Sequence, residues 1–279
     1  MENLTWEIFD GNATITGRRE KNAVLIIPPE VDGFKVTKIK SEAFTEDDEL
    51  QSVCIKADLI EIEQNAFAFC EKLKTINLPT SLKILGDAVF EGCIALENLS
   101  LPPELTRISK ALFEECSSLT FMEIPEKVTI IDQRAFEFCL NLRQVVFKGN
   151  ALESIENGAF FLCRRLENFF MPNSVTRTGK EILLGCRKLK QVRLSNNMRR
   201  IEAGLLARCK SLTSVKIPPN VETICNGAFA ECRDLKNFEL TNFDVNMGVK
   251  VFDGCTRLLE EPTFVERMGK FLNSTTSIN

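Results

Sequence analysis

The sequence predicts an elongated solenoid of about ten 23-residue repeats. A parallel β-sheet would form one face, and short 3₁₀ or helical turns with irregular segments the other. Three observations predict it. First, Phe44, Phe67, Phe90, Phe113 and Phe136 are each 23 residues apart; Phe160 follows after 24, and Leu183, Leu206, Phe229 and Phe252 return to 23. Second, Asp47 and then Cys70, Cys93, Cys116, Cys139, Cys163, Cys186, Cys209, Cys232 and Cys255 stand three residues after these. Three further on come Leu50, Leu73, Leu96, Leu119, Leu142, Leu166, Leu189, Leu212, Leu235 and Leu258. Third, apolar and polar residues alternate just after each leucine, the pattern of a half-buried strand. A unit this short cannot bury its own apolar face, so the units must stack, and ten coils would extend on the order of 50 Å.

The elements follow in chain order. Trp6, Ile8, Ala13 and Ile15 alternate around Asp10-Gly11, a hairpin-turn signal, so residues 4–16 read as a capping hairpin and 24–27 as the first strand of the stack. The unit 66–85 shows the logic of the body. Ala66, Phe67 and Cys70 have the spacing of a short helical or 3₁₀ turn. Leu73, Ile76 and Leu78 alternate with Thr75 and Asn77 as a strand, Pro79 ends it, and Leu82 and Leu85 return the chain to the core. The one extra residue falls near Lys148-Gly149-Asn150, where a turn absorbs it. After Leu258 the pattern decays at Glu261-Pro262; Phe264, Val265, Met268, Phe271 and Leu272 then have the spacing of a short amphipathic helix over the last coil, and 273–277 read as a frayed polar end. The organisation is therefore a cap with first strand (1–35), the repeat solenoid (36–261) and a C-terminal cap or tail (262–279), one elongated unit.

From Ile62 to Leu85 the chain runs I-x-x-x-A-F-x-x-C-x-x-L-x-x-I-x-L-P-x-x-L-x-x-I at nearly every anchor, and in-phase copies cover about residues 36 to 258. This resembles the BspA-type (treponemal-type) leucine-rich repeats. The lead-in Ile26-Ile27-Pro28, Val31-Asp32-Gly33, Val36 and Ile39 is similar to that family's usual start. The resemblance implies a leucine-rich repeat solenoid, a right-handed superhelix, and protein binding, often adhesion to host matrix or surface proteins; it implies no catalysis.

Composition narrows the function. The chain has 279 residues, a net charge of -4, and neither His nor Tyr. The commonest general base and metal ligand are missing, so the reading is of a protein that is not an enzyme and holds no cofactor or metal. No stretch reads as strongly basic, which argues against nucleic acid as a partner. No apolar run approaches the ~18 residues of a membrane span, and the start shows no signal peptide. Nine of the eleven cysteines share one repeat position and read as buried, reduced thiols. Cys54 and Cys225 lie off that column, with Cys54 on the outward side of its strand. Reduced thiols suggest the cytoplasm, whereas the resemblance suggests the cell surface or secretion, so the location stays open.

Two outward columns of the strand face are mainly polar. Phe121, Val146 and Phe170 break that rule on three consecutive strands, with Arg193 and Lys216 as a basic flank. Exposed aromatics of this kind are what protein interfaces favour; the competing reading is that neighbouring long side chains shield them. A second set on the turn side, Phe138, Phe161, Leu162 and Leu184, reads as a local widening of the core. The leading expectation is a protein-binding scaffold that uses the strand face. The alternative is a structural module that self-associates weakly through its C-terminal end.

Overall fold

The computed structural model describes residues 3–275. Its architecture is a parallel β-solenoid of about ten turns with few helices, as the repeat requires. The hairpin β1 (Leu4–Phe9) and β2 (Asn12–Arg18) turns at Asp10 (φ 48°) and Gly11 (φ 73°). It covers the N-terminal end with Ala13 and Ile15 fully buried and Trp6 partly so, while Ile8 faces solvent. β3 (Val24–Ile27) begins the stack and pairs in parallel with Ser52–Ile55. A second hairpin, β4 (Glu30–Val31) and β5 (Phe34–Ile39), turns at Asp32-Gly33, and β5 joins β2 to the body. At the far end α1 (Thr256–Leu259) leads into α2 (Pro262–Thr275), and Phe264 packs edge-on against Phe252 and Phe238 at 5.3 and 6.1 Å between ring centroids. The side chains of Phe271 and Leu272, and residues 276–279, lie outside the described residues. No described helix is long and apolar enough to cross a membrane.

The predicted columns are the core. Nine column thiols and every column leucine are 0 % exposed. Five consecutive Phe–Phe steps from Phe44 to Phe160 are 5.0–6.0 Å apart between centroids and within 16° of parallel, an offset stack. Where Leu183 and Leu206 stand in for Phe, the column loses its rings; Phe169 packs edge-on against Phe160 at 5.1 Å.

The parallel sheet expected on one face forms, with a second ladder beside it. Most coils, the third excepted, contribute a strand to a first ladder, such as Phe121–Ile124, and nearly all contribute a two-residue strand to a second, such as Ile130–Ile131 after the proline turn. The second ladder exists because Leu82 and Leu85, or Val128 and Ile131, bring the chain back inward in extended form.

The predicted helical turn is corrected: the A-F-x-x-C segment is neither 3₁₀ nor α-helical. In all ten coils the residues two before and two after the column Phe or Leu have positive φ, as at Asn65 and Phe69, or Ala111 and Glu115. This turn points the N–H groups of alternate residues, the column residue and those two to either side, toward the next coil. These donate forward to the next coil: Asn65 to Asp87 O, Phe67 to Val89 O, Phe69 to Glu91 O. The same three bonds recur at all nine junctions between coils. In the strand ladders donation runs both ways, back from Lys74 N–H to Gln51 O and forward from Met171 N–H to Arg193 O. Both strand ladders are interrupted around the third coil, whereas the turn ladder is continuous and forms the spine of the solenoid.

Candidate functional site

The strand face carries the predicted residues where the repeat places them. Phe121 sits opposite Gln144, and Val146 opposite Glu123 on the neighbouring strand. Phe170 sits opposite Arg193, and Lys216 opposite Glu239. Phe121 is 40 % and Phe170 45 % exposed, so neighbouring side chains do not cover them. Val146 is half-buried, and Arg193 and Lys216 are exposed. The Arg193 guanidinium carbon lies 5.5 Å from the Phe170 ring centroid, a cation–π contact.

The register does not gather the three apolar residues into one cluster. Phe121 belongs to one outward column and Phe170 to the other, two strands away. Phe121 instead walls a groove of about 430 Å³. The groove opens because residues 98–101 of the third coil form no strand, and Leu99 and Leu101, which should point inward, are only half-buried. Pro103 and Pro125 complete the apolar floor, and Glu104, Lys127, Glu123 and Lys148 form a charged rim in which Lys127–Glu104 (2.7 Å) and Lys148–Glu123 (2.9 Å) are paired. The sequence pattern at Leu99 and Leu101 is that of any other strand, so nothing local signalled this opening.

On the turn side Phe138, Phe161, Leu162 and Leu184 are half-buried, with the two rings edge-to-face at 5.8 Å. Beside them Glu91, Glu114 and Glu137 stack on successive coils, and Arg134 pairs with both Glu114 and Glu137. Burial pushes the Glu114 carboxyl up to about 7, Arg134 opposing and Glu137, Glu91 and Glu115 adding to the rise.

Each column thiol donates to the backbone carbonyl of the Phe or Leu in the preceding coil at 3.0–3.4 Å, from Cys70 to Phe44 O through Cys255 to Phe229 O. Burial pushes the Cys70 thiol up to about 12 and also raises Cys93, Cys139, Cys163 and Cys186 well above the ordinary thiol value. These sulfurs are protonated donors inside the wall. Cys54 is half-exposed; Cys225 is buried beside Glu202.

The reading that no stretch is strongly basic is corrected as well. Between residues 140 and 220 there are fifteen Lys and Arg against five Asp and Glu, in a chain of net charge -4. The cations are spread along the sequence, but a 23-residue spacing becomes side-by-side contact once the coils stack.

Among protein families, the BspA type Leucine rich repeat region matches in 6 copies, over residues 37–151 and 144–259. Among solved structures, a leucine-rich repeat protein from Bacteroides ovatus ATCC 8483 is 22 % identical over 92 % of this chain and 92 % of its own, with a TM-score of 0.43. A leucine rich cell surface protein from Faecalibacterium prausnitzii A2-165 is 22 % identical over 99 % and 97 %, with a TM-score of 0.43. The T. pallidum Leucine Rich Repeat protein is 22 % identical over 96 % and 92 %, with a TM-score of 0.40. No curated protein sequence matches the chain.

Proposed function

The chain belongs to the BspA-type leucine-rich repeat family, and from that premise we propose that it is a non-enzymatic scaffold that recognises another protein through its strand face. The observation that carries this reading is Phe121, an aromatic ring left 40 % exposed at the wall of an apolar-floored groove with a charged rim. A solvated sheet gains nothing from such a ring, whereas an interface core is built from aromatic anchors surrounded by polar groups. Phe170, in contact with Arg193, and then Lys216 extend the surface toward the C-terminal coils. The partner class is a cell-surface or matrix protein. The thiol column is compatible with such a location, because sulfurs with 0 % exposure stay reduced where a surface thiol would be oxidised.

The test is binding to a panel of purified matrix proteins, compared between the native chain and Phe121→Glu with Phe170→Glu. Loss of a panel interaction in a double variant that melts like the native chain supports the assignment. Unchanged affinity refutes the patch, and a native chain that binds no panel protein refutes the partner class.

A further inference from the structure

Stacking converts the dispersed cations of coils five to eight into a ladder. Arg164, Arg187 and Lys210 follow Phe160, Leu183 and Leu206 at the same offset in successive coils, and Arg165 and Lys188 hold the next position. Backbone hydrogen bonds fix the register: Lys188 N–H donates to Arg164 O at 3.1 Å, and Ser211 N–H to Arg187 O at 3.2 Å. Neighbouring rungs are therefore about 4.8 Å apart. Arg143, Arg165, Lys188 and Lys190, from three coils, also line one shallow cleft of about 350 Å³ with Glu167 and Ser211. Glu167 is its one acidic wall residue and bonds Lys190 at 3.2 Å. Arg143, Arg164, Arg165, Arg187 and Lys188 are exposed and pair with no carboxylate among the described residues.

The fold does not need these charges. Asp48 and Glu71 occupy the Arg164 position in the first two coils. Like charges on neighbouring rungs repel one another, so the row is unfavourable until anions meet it.

We propose that this ladder binds a linear sulfated polysaccharide lying along the solenoid axis. A linear sulfated glycan rises per sugar by nearly the distance between coils and turns successive sugars to alternate faces, so its same-side sulfates recur at about every second rung and stay nearly in phase with the ladder. An extended acidic peptide places same-side carboxylates about 6.8 Å apart and drifts out of register over three rungs. The cleft has no aromatic wall on which single-stranded bases would stack, and no apolar wall for a lipid surface. Arginine forks grip sulfate oxygens in bidentate fashion. This surface lies apart from the Phe121 groove and does not rest on the protein-binding proposal.

The experiment titrates the full chain with a heparin decasaccharide. Its fully desulfated counterpart, a polyglutamate peptide, a single-stranded oligothymidylate and phosphatidylserine vesicles serve as competing probes. The sulfated decasaccharide is expected to bind most tightly. Arg164→Ala with Arg187→Ala, or independently Arg165→Ala with Lys188→Ala, should weaken it at least roughly tenfold and lower the log–log salt slope by about two, one per cation removed. The proposal is overturned if the decasaccharide does not bind, or if both arginine and lysine variants bind it normally. It is equally overturned if the desulfated glycan, peptide, oligonucleotide or vesicles bind as tightly.

Discussion

Arg18 of the capping hairpin and Asp47 of the first coil form a buried bidentate ion pair, Nε to Oδ2 at 2.7 Å and a terminal guanidinium nitrogen to Oδ1 at 2.8 Å, with side chains only 3 % and 5 % exposed. Asp47 stands where every later coil has cysteine. A thiol there would donate to the carbonyl of a preceding coil, and the first coil has none. The carboxylate instead receives the arginine of the cap, so one substitution in the repeat marks where the solenoid begins. Asp47→Ala leaves the buried Arg18 guanidinium with only the Asn22 carbonyl and no counter-charge, and should destabilise by about 3–5 kcal/mol. Arg18→Leu combined with Asp47→Cys should recover most of that loss. Urea unfolding of the three variants against the native chain measures both.

The turn ladder places non-glycine residues in the left-handed region at a cost of about 1–2 kcal/mol each. Glu115 (φ 61°) is exposed, so Glu115→Gly relieves strain without opening a cavity and should stabilise by about 0.5–1 kcal/mol despite the looser unfolded chain. Gly92→Ala works in reverse. Its φ is 69°, and the added Cβ would meet Phe69 Cδ1 at 2.4 Å, so it should lower stability by more than about 1 kcal/mol. Thermal melts of both variants should move in opposite directions.

Glu114 makes stability depend on pH. Its folded pKa of about 7 lies above the ordinary 4.5. Between those values the folded chain holds a proton that the unfolded chain releases, so stability is full below about 4.5 and falls as pH rises to 7. Glu91, also raised by burial, acts in the same direction. With no His in the chain, nothing of the usual kind opposes this. The melting temperature should be higher at pH 5.5 than at pH 8, by the equivalent of on the order of 1–2 kcal/mol, and Glu114→Gln should flatten the difference.

The column thiols should be inert while the chain is folded. Their sulfurs are inaccessible, and burial keeps Cys70, Cys93, Cys139, Cys163 and Cys186 protonated well beyond neutral pH. Maleimide labelling of the native protein should modify Cys54 alone at an appreciable rate, and labelling in urea should reach all eleven. Rapid native labelling of Cys116 would contradict the buried column.

The sequence by itself determined which residues face inward. A 23-residue period in Phe, Cys and Leu admits one arrangement, because only stacking buries columns that single units cannot. It also placed Phe121, Phe170, Arg193 and Lys216 on the outward side, since a strand alternates its faces. Tertiary structure decided what depends on how coils meet. The left-handed pair around each column Phe or Leu is filled by Glu, Gly, Ala, Arg, Phe, Asn, Leu or Lys, with no common side chain to announce it, because the conformation is enforced by hydrogen bonds to the next coil. The groove beside Phe121 arises from a strand that fails to pair at residues 98–101 although its pattern is regular. The cation ladder is invisible along the chain, for Arg164 and Arg187 are 23 residues apart in sequence and one rung apart in space. Periodicity specifies direction relative to the core; proximity between repeats is a property of the stack.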